Sequence, residues 1–440
     1  MLDQIVDAVE QRTPEGIAAA ISRLIRSGAL GAGDRLPTVR DVAATLGVSP
    51  ATVSNAWQAL SGVGLITSRG RAGSYVLQAA TAWMPPHFGE LAGSHVSARL
   101  DLSSGTPDPE LLPDLTAALA RVPTRADTAS YLSAPVLPEL ELHLRASWPY
   151  PVSALTIVDG ALDAISRALE SLVRYGDRVV VESPGFPPFF DLLEHFGVER
   201  LPVGVDADGL LPDELARALR MNPVAIILQP RAHNPTGASL TADRARELAR
   251  VLRAHEHLGD PVIIEDDHSA EISSAPAHSL GTWLPHRVLH VRSYAKSHGP
   301  DLRIAALGGP ETLLDKIVAR RMLGPGWTSR MLQSILYDLL TASASVDAVN
   351  DARRIYQARQ RSLAEALGER GVVTAAADGI NTWVPVADEK AAIVSLAASG
   401  IRVAAGATFL AGPAGAAAPG GQHLRVTAGR VRDDFGEASS

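Results

Sequence analysis

From Ile17 onward, apolar residues recur at helical spacing. Ile17, Ala20, Ile21 and Leu24 share one face after Thr13-Pro14-Glu15, a start with proline at the first helical position, and Gly28 marks a stop. A second, shorter helix is predicted from near Thr38, where Asp41 completes a capping-box-like arrangement, through Val42 and Leu46 to Gly47. Only Gly47-Val48 precedes Ser49-Pro50-Ala51-Thr52, which opens a third helix with Val53, Ala56, Trp57 and Leu60 at i, i+3, i+4 and i+7. Two helices joined so tightly read as a helix-turn-helix. The period then drops to two, and Leu65–Ser68 and Ser74–Leu77 read as a hairpin around the turn Arg69–Gly73.

Residues 79–100 lose periodicity, carry Pro85-Pro86 and scattered glycine, and read as a semi-flexible linker. From Asp101 onward, apolar strand-like runs alternate with helical patterns, the βαβ signature of a mostly parallel sheet with helices on both faces. Those runs include Arg178–Glu182, Val224–Leu228, Val262–Glu265, Val288–Val291 and Ile304–Leu307. The expected fold class is therefore α/β, with a winged helix-turn-helix over 1–78, a linker over 79–100 and a large sheet domain over 101–440.

Length agrees, since 440 residues exceed one ordinary domain. Hydrophobic content of 46% and charged content of 20% fit a globular protein, and no run approaches the ~20 apolar residues of a membrane span. The acidic start MLDQIVDAVEQ lacks the basic-then-apolar layout of a secretory leader, and cysteine is absent, so a cytoplasmic location without redox or zinc-thiolate chemistry is expected.

A net charge of −8 excludes a surface coated for nucleic acid, so any DNA contact must be local. The third helix turns Ala51, Thr52, Ser54, Asn55 and Gln58 outward, groups suited to base edges, and Arg69 and Arg71 sit at the tip of the hairpin. Residues 1–78 hold seven arginines against six acidic groups, a modest phosphate grip for which dimerisation should supply affinity. The stretch from Ile17 to Leu77, with its GDRLPTVRDVA run, helix spacing and wing in order, resembles the GntR family of winged-helix regulators. The resemblance implies that Arg40, Thr52, Arg69 and Gly73 lie at double-stranded DNA. With Ser49, Asn55 and Arg71 they form the candidate DNA-binding set.

In open α/β sheets, ligands bind outside the carboxyl ends of the strands, and chemistry-bearing residues cluster just past these runs: SPGF, QPRAHNPTG, DDHS and SYAKSHGPDLR. Only three lysines occur, which makes Lys296 in the last segment informative. A lysine activated by a desolvated, cationic neighbourhood is what the aldehyde of pyridoxal phosphate requires. Ser293, Arg303 and a helix start at Gly160-Ala161-Leu162 suit its phosphate. Asp266 suits the pyridine nitrogen, although Asp267 beside it could exchange roles. Asn234 suits the phenolic oxygen, and Phe186 can stack on the ring. His233 and His268 read as pocket or core residues, and no cluster has metal-ligand spacing.

From Asp101 to the C-terminus the chain resembles a fold-type I aminotransferase, with NPTG and SYAKSHGPDLR as its specific motifs, and joined to the GntR-like head it resembles the MocR subfamily of regulators. That resemblance implies an internal aldimine on Lys296 and a pyridine-nitrogen contact from Asp266. It also implies that Arg425 in HLRVTAG receives a ligand carboxylate, that Gly105 lines the ligand pocket and that Tyr131 reaches the phosphate from the partner subunit of a homodimer. His268 replaces a tyrosine usual in the subfamily, so ring tuning there is expected to respond to pH. The function expected is a transcription regulator whose body senses an amine, an amino acid or pyridoxal phosphate. The alternative is an active aminotransferase carrying an accessory DNA-binding head.

Overall fold

The computed structural model describes residues 1–62, 65–68, 73–77, 84–92, 98–125, 133–412 and 421–432. The chain divides into two compact units, Met1–Pro85 and Pro86–Ser440.

The first unit contains helices α1 (Leu2–Ala8), α2 (Pro14–Arg26), α3 (Val39–Leu46) and α4 (Pro50–Gly62), followed by strands β1 (Ile66–Ser68) and β2 (Ser74–Val76). Each predicted start has its cap. Thr13 Oγ1 accepts from the Gly16 amide at 3.1 Å, Thr38 Oγ1 from Asp41 at 3.2 Å, and Ser49 Oγ from Thr52 at 3.1 Å. Gly47 ends α3 in the left-handed conformation, φ 67°, which lets α4 start three residues later. Val53, Ala56, Trp57 and Leu60 are buried against Ile17, Ile21, Val42 and Leu46, and each large apolar side chain so buried is worth about 1.5–3 kcal/mol. Helix α1 had no sequence signature, because Ile5 is its one fully buried residue and a single anchor makes no stripe. β1 and β2 pair antiparallel, Ile66 opposite Val76.

The second unit begins with helix α5 (Pro86–Ala92). The stretch read as an aperiodic linker thus contains a helix at Pro86–Ala92. The Asp191 carboxylate accepts from the amides of His87 (3.0 Å) and Phe88 (2.8 Å), and His87 Nε2 lies 3.0 Å from Glu194. Those acceptors lie in the helix Pro187–His195, distant in sequence, so local periodicity could not announce α5.

Next come β3 (Leu100–Asp101), β4 (Ala154–Val158), β5 (Arg178–Ser183), β6 (Glu199–Asp206), β7 (Gly209–Leu210), β8 (Ala225–Leu228), β9 (Val262–Asp267), β10 (Val288–Ser293) and β11 (Ala305–Gly309). All but β3 form one eight-stranded sheet in the order β4-β11-β10-β9-β8-β5-β6-β7. The five strands β10, β9, β8, β5 and β6 pair in parallel. β11 is antiparallel to both its neighbours, so its start lies at the edge where the parallel strands end. Alternation along the strands sends Val180, Ile226, Ile263 and Val288 into one core layer. Val179, Ile227, Ile264 and Leu289 enter the other. A smaller three-stranded sheet joins β12 (Thr382–Val386), β14 (Ala404–Ala405) and β15 (Gln422–Val426), and β13 (Ile401–Arg402) pairs with β3. No helix among the described residues is long and apolar enough to cross a membrane.

Candidate functional site

The carboxyl ends of β4, β5, β8, β9 and β10 and the start of β11 surround a cavity of ≈ 440 Å³. Gly105, Gly160, Ala161, Leu162, Phe186, Asn234, Asp266, His268, Ser293, Lys296, Arg303 and Arg425 all line it. Twelve of the thirteen expected cofactor and ligand residues thus meet in one place, and Tyr131 lies outside the described residues.

Lys296 sits on a one-turn helix, Ala295–His298, directly after β10. Its Nζ donates to the Gly105 carbonyl. Burial, and then the Arg425 guanidinium, lower its pKa to about 8, with the Asp266 charge opposing. Gly105 suits this place: its φ is 61°, a left-handed conformation that favours glycine, and a Cβ would stand 2.6 Å from Arg425 Nη1 and push the guanidinium aside. Arg425, on β15, is fully buried, donates to Asn234 Oδ1 (3.3 Å) and to the Ser103 carbonyl, and lies 5.1 Å from the Phe409 ring centre. Burial lowers it to about 9, opposed by Asp101, so it remains a cation at neutral pH.

The pleat separates the two adjacent aspartates. Asp266 points to the face of Ile264, where the cavity lies, and Asp267 to the opposite face. There Asp267 pairs with Arg231 at 2.5 Å and approaches His290 at 3.7 Å. Burial works against its charge, but the Arg231 cation and His290 hold its carboxyl far below the usual range. No cation is bonded to Asp266 among the described residues, although His290 and Lys296 act on it from further away. Burial, and then the Asp267 and Glu182 carboxylates, push it up to about 7, against a bond from Gln229. Its Oδ1 is buried and has no hydrogen-bond partner among the described residues.

At the other end, Gly160 begins the helix Ala161–Leu172 with φ 101°, and a Cβ there would come 3.1 Å from Arg303 Nη2. The guanidinium therefore lies against a helix N-terminus, an arrangement that attracts a dianion through free amides, dipole and charge together. Ser293 Oγ accepts from Ala295 N at 3.4 Å nearby. The residues present fit pyridoxal phosphate. The orphaned Asp266 oxygen needs a donor such as a protonated pyridine, and the helix start with Arg303 needs an anion.

His268 departs from expectation. Its Nε2 faces the Ala232 carbonyl at 2.9 Å and its Nδ1 the Ser269 hydroxyl at 3.3 Å, while burial and the Lys296 charge lower its pKa to about 3. Both effects favour the neutral imidazole at physiological pH, opposite to the pH response expected at this position. The sequence reading assigned no role to Gln229, Phe88 or Leu91, which also line the cavity. The QPRAHNPTG run contained the first, but nothing in it marked which side chain turns inward.

In the first unit, α4 presents Asn55 to solvent, with Thr52 half-buried, and Arg40 is exposed on α3. Ser49 and Thr52 join hydroxyls at 2.8 Å, so both are partly engaged in capping. Gly73, at φ 101°, lies against the Arg35 guanidinium. Arg69 and Arg71 lie outside the described residues.

Known proteins match both units. Residues 13–76 match the bacterial regulatory proteins of the gntR family, and residues 98–434 match aminotransferase class I and II. The vitamin B6 salvage pathway transcriptional repressor PtsJ of Salmonella typhimurium is 36% identical over 430 residues, 97% of this chain and 96% of that protein. The HTH-type pyridoxine biosynthesis transcriptional regulator PdxR of Corynebacterium glutamicum is 27% identical, covering 81% and 79%. Among solved structures, the α-aminoadipate aminotransferase LysN of Thermus thermophilus, complexed with N-(5'-phosphopyridoxyl)-L-leucine, superposes with a TM-score of 0.66 at 20% identity, over 76% of this chain and 88% of that one. A GntR head and a class I and II aminotransferase body, matched together along a transcriptional repressor, identify this chain as a member of the GntR-type transcriptional regulators of MocR architecture.

Proposed function

We propose that the chain is a pyridoxal phosphate-dependent, DNA-binding transcription regulator whose body senses an amine, an amino acid or the cofactor itself through aldimine exchange at Lys296. The observation that carries this reading is Lys296, its pKa lowered, in one cavity with an unpartnered Asp266 oxygen and the Arg303 anion site, in a chain that begins with a DNA-reading head. When bound, the cofactor supplies a carbonyl that condenses reversibly with primary amines. Lys296 would supply the amine for that condensation, Asp266 would hold the pyridine nitrogen, and Asn234 would donate to the phenolic oxygen. Phe186 would cover the ring face, and Ser293, Arg303 and the amides after Gly160 would hold the phosphate. Arg425 would take a ligand carboxylate, next to Gly105.

The cavity wall includes Phe88 and Leu91 of α5, the first helix after the boundary at Pro85. A ligand there touches the element to which the chain from the head is joined, and its differential affinity for two states supplies the energy of a switch. The names of PtsJ and PdxR favour vitamin B6 supply as the controlled process, with the cofactor as signal. A cytoplasmic homodimer on an operator with two half-sites fits the modest charge of the head. The second reading, a working aminotransferase, is favoured by the completeness of the lysine, aspartate and arginine set in one cavity.

Footprinting of the full chain on DNA upstream of its own gene, with and without pyridoxal phosphate and candidate amines, tests the regulator reading, and protection must change on addition. Multiple turnovers of an amino donor and a keto acid with unaltered protection would favour the enzyme. Arg40→Ala should weaken protection by about tenfold, the worth of one charged contact to phosphate or base, without altering the cofactor's absorption. Unweakened protection would remove Arg40 from the interface. Only a free amine attacks the aldehyde, so cofactor uptake by the cofactor-free protein should accelerate with pH with a midpoint near 8, well below the ordinary lysine range. A stopped-flow pH series showing a midpoint above 10 would contradict the environment described for Lys296.

A further inference from the structure

We propose that Gln229 is the positioning residue of the cofactor site: one amide that ties the Asp266 carboxylate to the Asn234 turn and aims the free Asp266 oxygen at the pyridine nitrogen. The inference rests on the pyridoxal phosphate reading above.

Gln229 follows β8 by one residue and is 4% exposed. Its backbone amide donates to Glu182 Oε2 at the end of β5 (2.9 Å), its Nε2 donates to Asp266 Oδ2 on β9 (2.8 Å), and its Oε1 accepts from the backbone amide of Asn234 (2.8 Å). One residue thus joins three neighbouring strand ends and the turn that carries Asn234.

The polarity of the bridge is fixed. A backbone N–H can only donate, so the Gln229 oxygen must face Asn234 and its NH₂ group must face Asp266. A flipped amide would set two acceptors against each other at Asp266 and strand the buried Asn234 N–H without an acceptor. A protonated carboxyl can still accept at its C=O oxygen, but an N–H bond to a charged carboxylate is the stronger of the two, so Gln229 favours the ionised form of Asp266 in surroundings that oppose it, with Glu182 and Asp267 near and no cation bonded to it among the described residues. With Oδ2 taken, Oδ1 alone remains, and it is the buried, unpartnered atom on the cavity side.

The test uses the full chain loaded with ¹⁵N-labelled pyridoxal phosphate. Gln229→Glu keeps an acceptor for Asn234 but replaces the neutral donor facing Asp266 with a second acid, which can bond Asp266 only through a shared proton. Gln229→Met keeps the shape and removes both bonds. In the parent protein the pyridine ¹⁵N resonance should report a protonated nitrogen across pH 7–8. In Gln229→Met the nitrogen should lose its proton in that range, and the cofactor dissociation constant should rise about tenfold or more, the worth of a charge-assisted bond. Gln229→Glu, which keeps negative charge beside the pyridine, should hold the nitrogen protonated but shift its pH profile upward. Circular dichroism and thermal unfolding establish that each variant is folded, and either folded variant suffices. An unchanged ¹⁵N resonance and pH profile in a folded variant overturns the role of Gln229 alone. Failure of the parent protein to take up the cofactor overturns the cofactor reading itself.

Discussion

Lys296→Ala abolishes the lysine-linked absorption band of the cofactor-loaded protein and leaves the body folded. Lys296 lines a cavity and donates to the Gly105 carbonyl, and it fills no apolar core. Its truncation therefore opens no dry void, and it removes an amine whose charged form burial already disfavours. The expected effect is all-or-none for the covalent link and small for stability. Absorption spectra, with borohydride reduction and peptide mapping of the adduct, provide the check. The only other lysines, Lys316 and Lys390, are both exposed. An adduct mapped to either of them in the parent protein, or a band that survives the substitution, would sink the assignment.

The two adjacent aspartates should respond in opposite ways. Asp267→Asn leaves the buried Arg231 without its counter-charge and should destabilise the body by about 3–5 kcal/mol, the cost of breaking a buried pair from one side. Asp266→Asn should leave the cofactor-free protein as stable or more so, while cofactor affinity falls. The pH signs differ as well. Asp267 titrates below the usual carboxylate range, so its contribution is present above that range and is lost as pH falls through its folded pKa. Asp266 titrates near 7 in the folded state, so the cofactor-free protein loses stability as pH rises from the carboxylate range to about 7, and Asp266→Asn should flatten that slope. Denaturant midpoints at pH 5 and pH 8 for both variants test this, and a large loss in Asp266→Asn with none in Asp267→Asn would reverse the assignment.

The helix-turn-helix was legible because its determinants are local. Thr13, Thr38 and Ser49 cap within three residues, Gly47 turns within one, and the buried face of α4 follows from spacing alone. The strand runs were legible for the same reason, since parallel strands buried on both faces are continuous apolar stretches. Position just past those runs then placed Asn234, Asp266, Ser293 and Lys296 at one sheet edge. Arg303, read in the same segment as Ser293 and Lys296, stands at that edge because β11 runs antiparallel to β10 and starts where β10 ends.

Residue types, helix spacing and strand order along the chain were determined by the sequence itself, since capping, periodicity and turn chemistry act over a few residues. Which aspartate faces the cavity, that α5 closes against Asp191, that His268 stays neutral and that Gln229 bridges Asp266 to Asn234 were decided only by tertiary structure. Each depends on partners tens or hundreds of residues away, on which face of a pleat a side chain lands and on how much water packing leaves around it. None of these quantities is written in a local pattern.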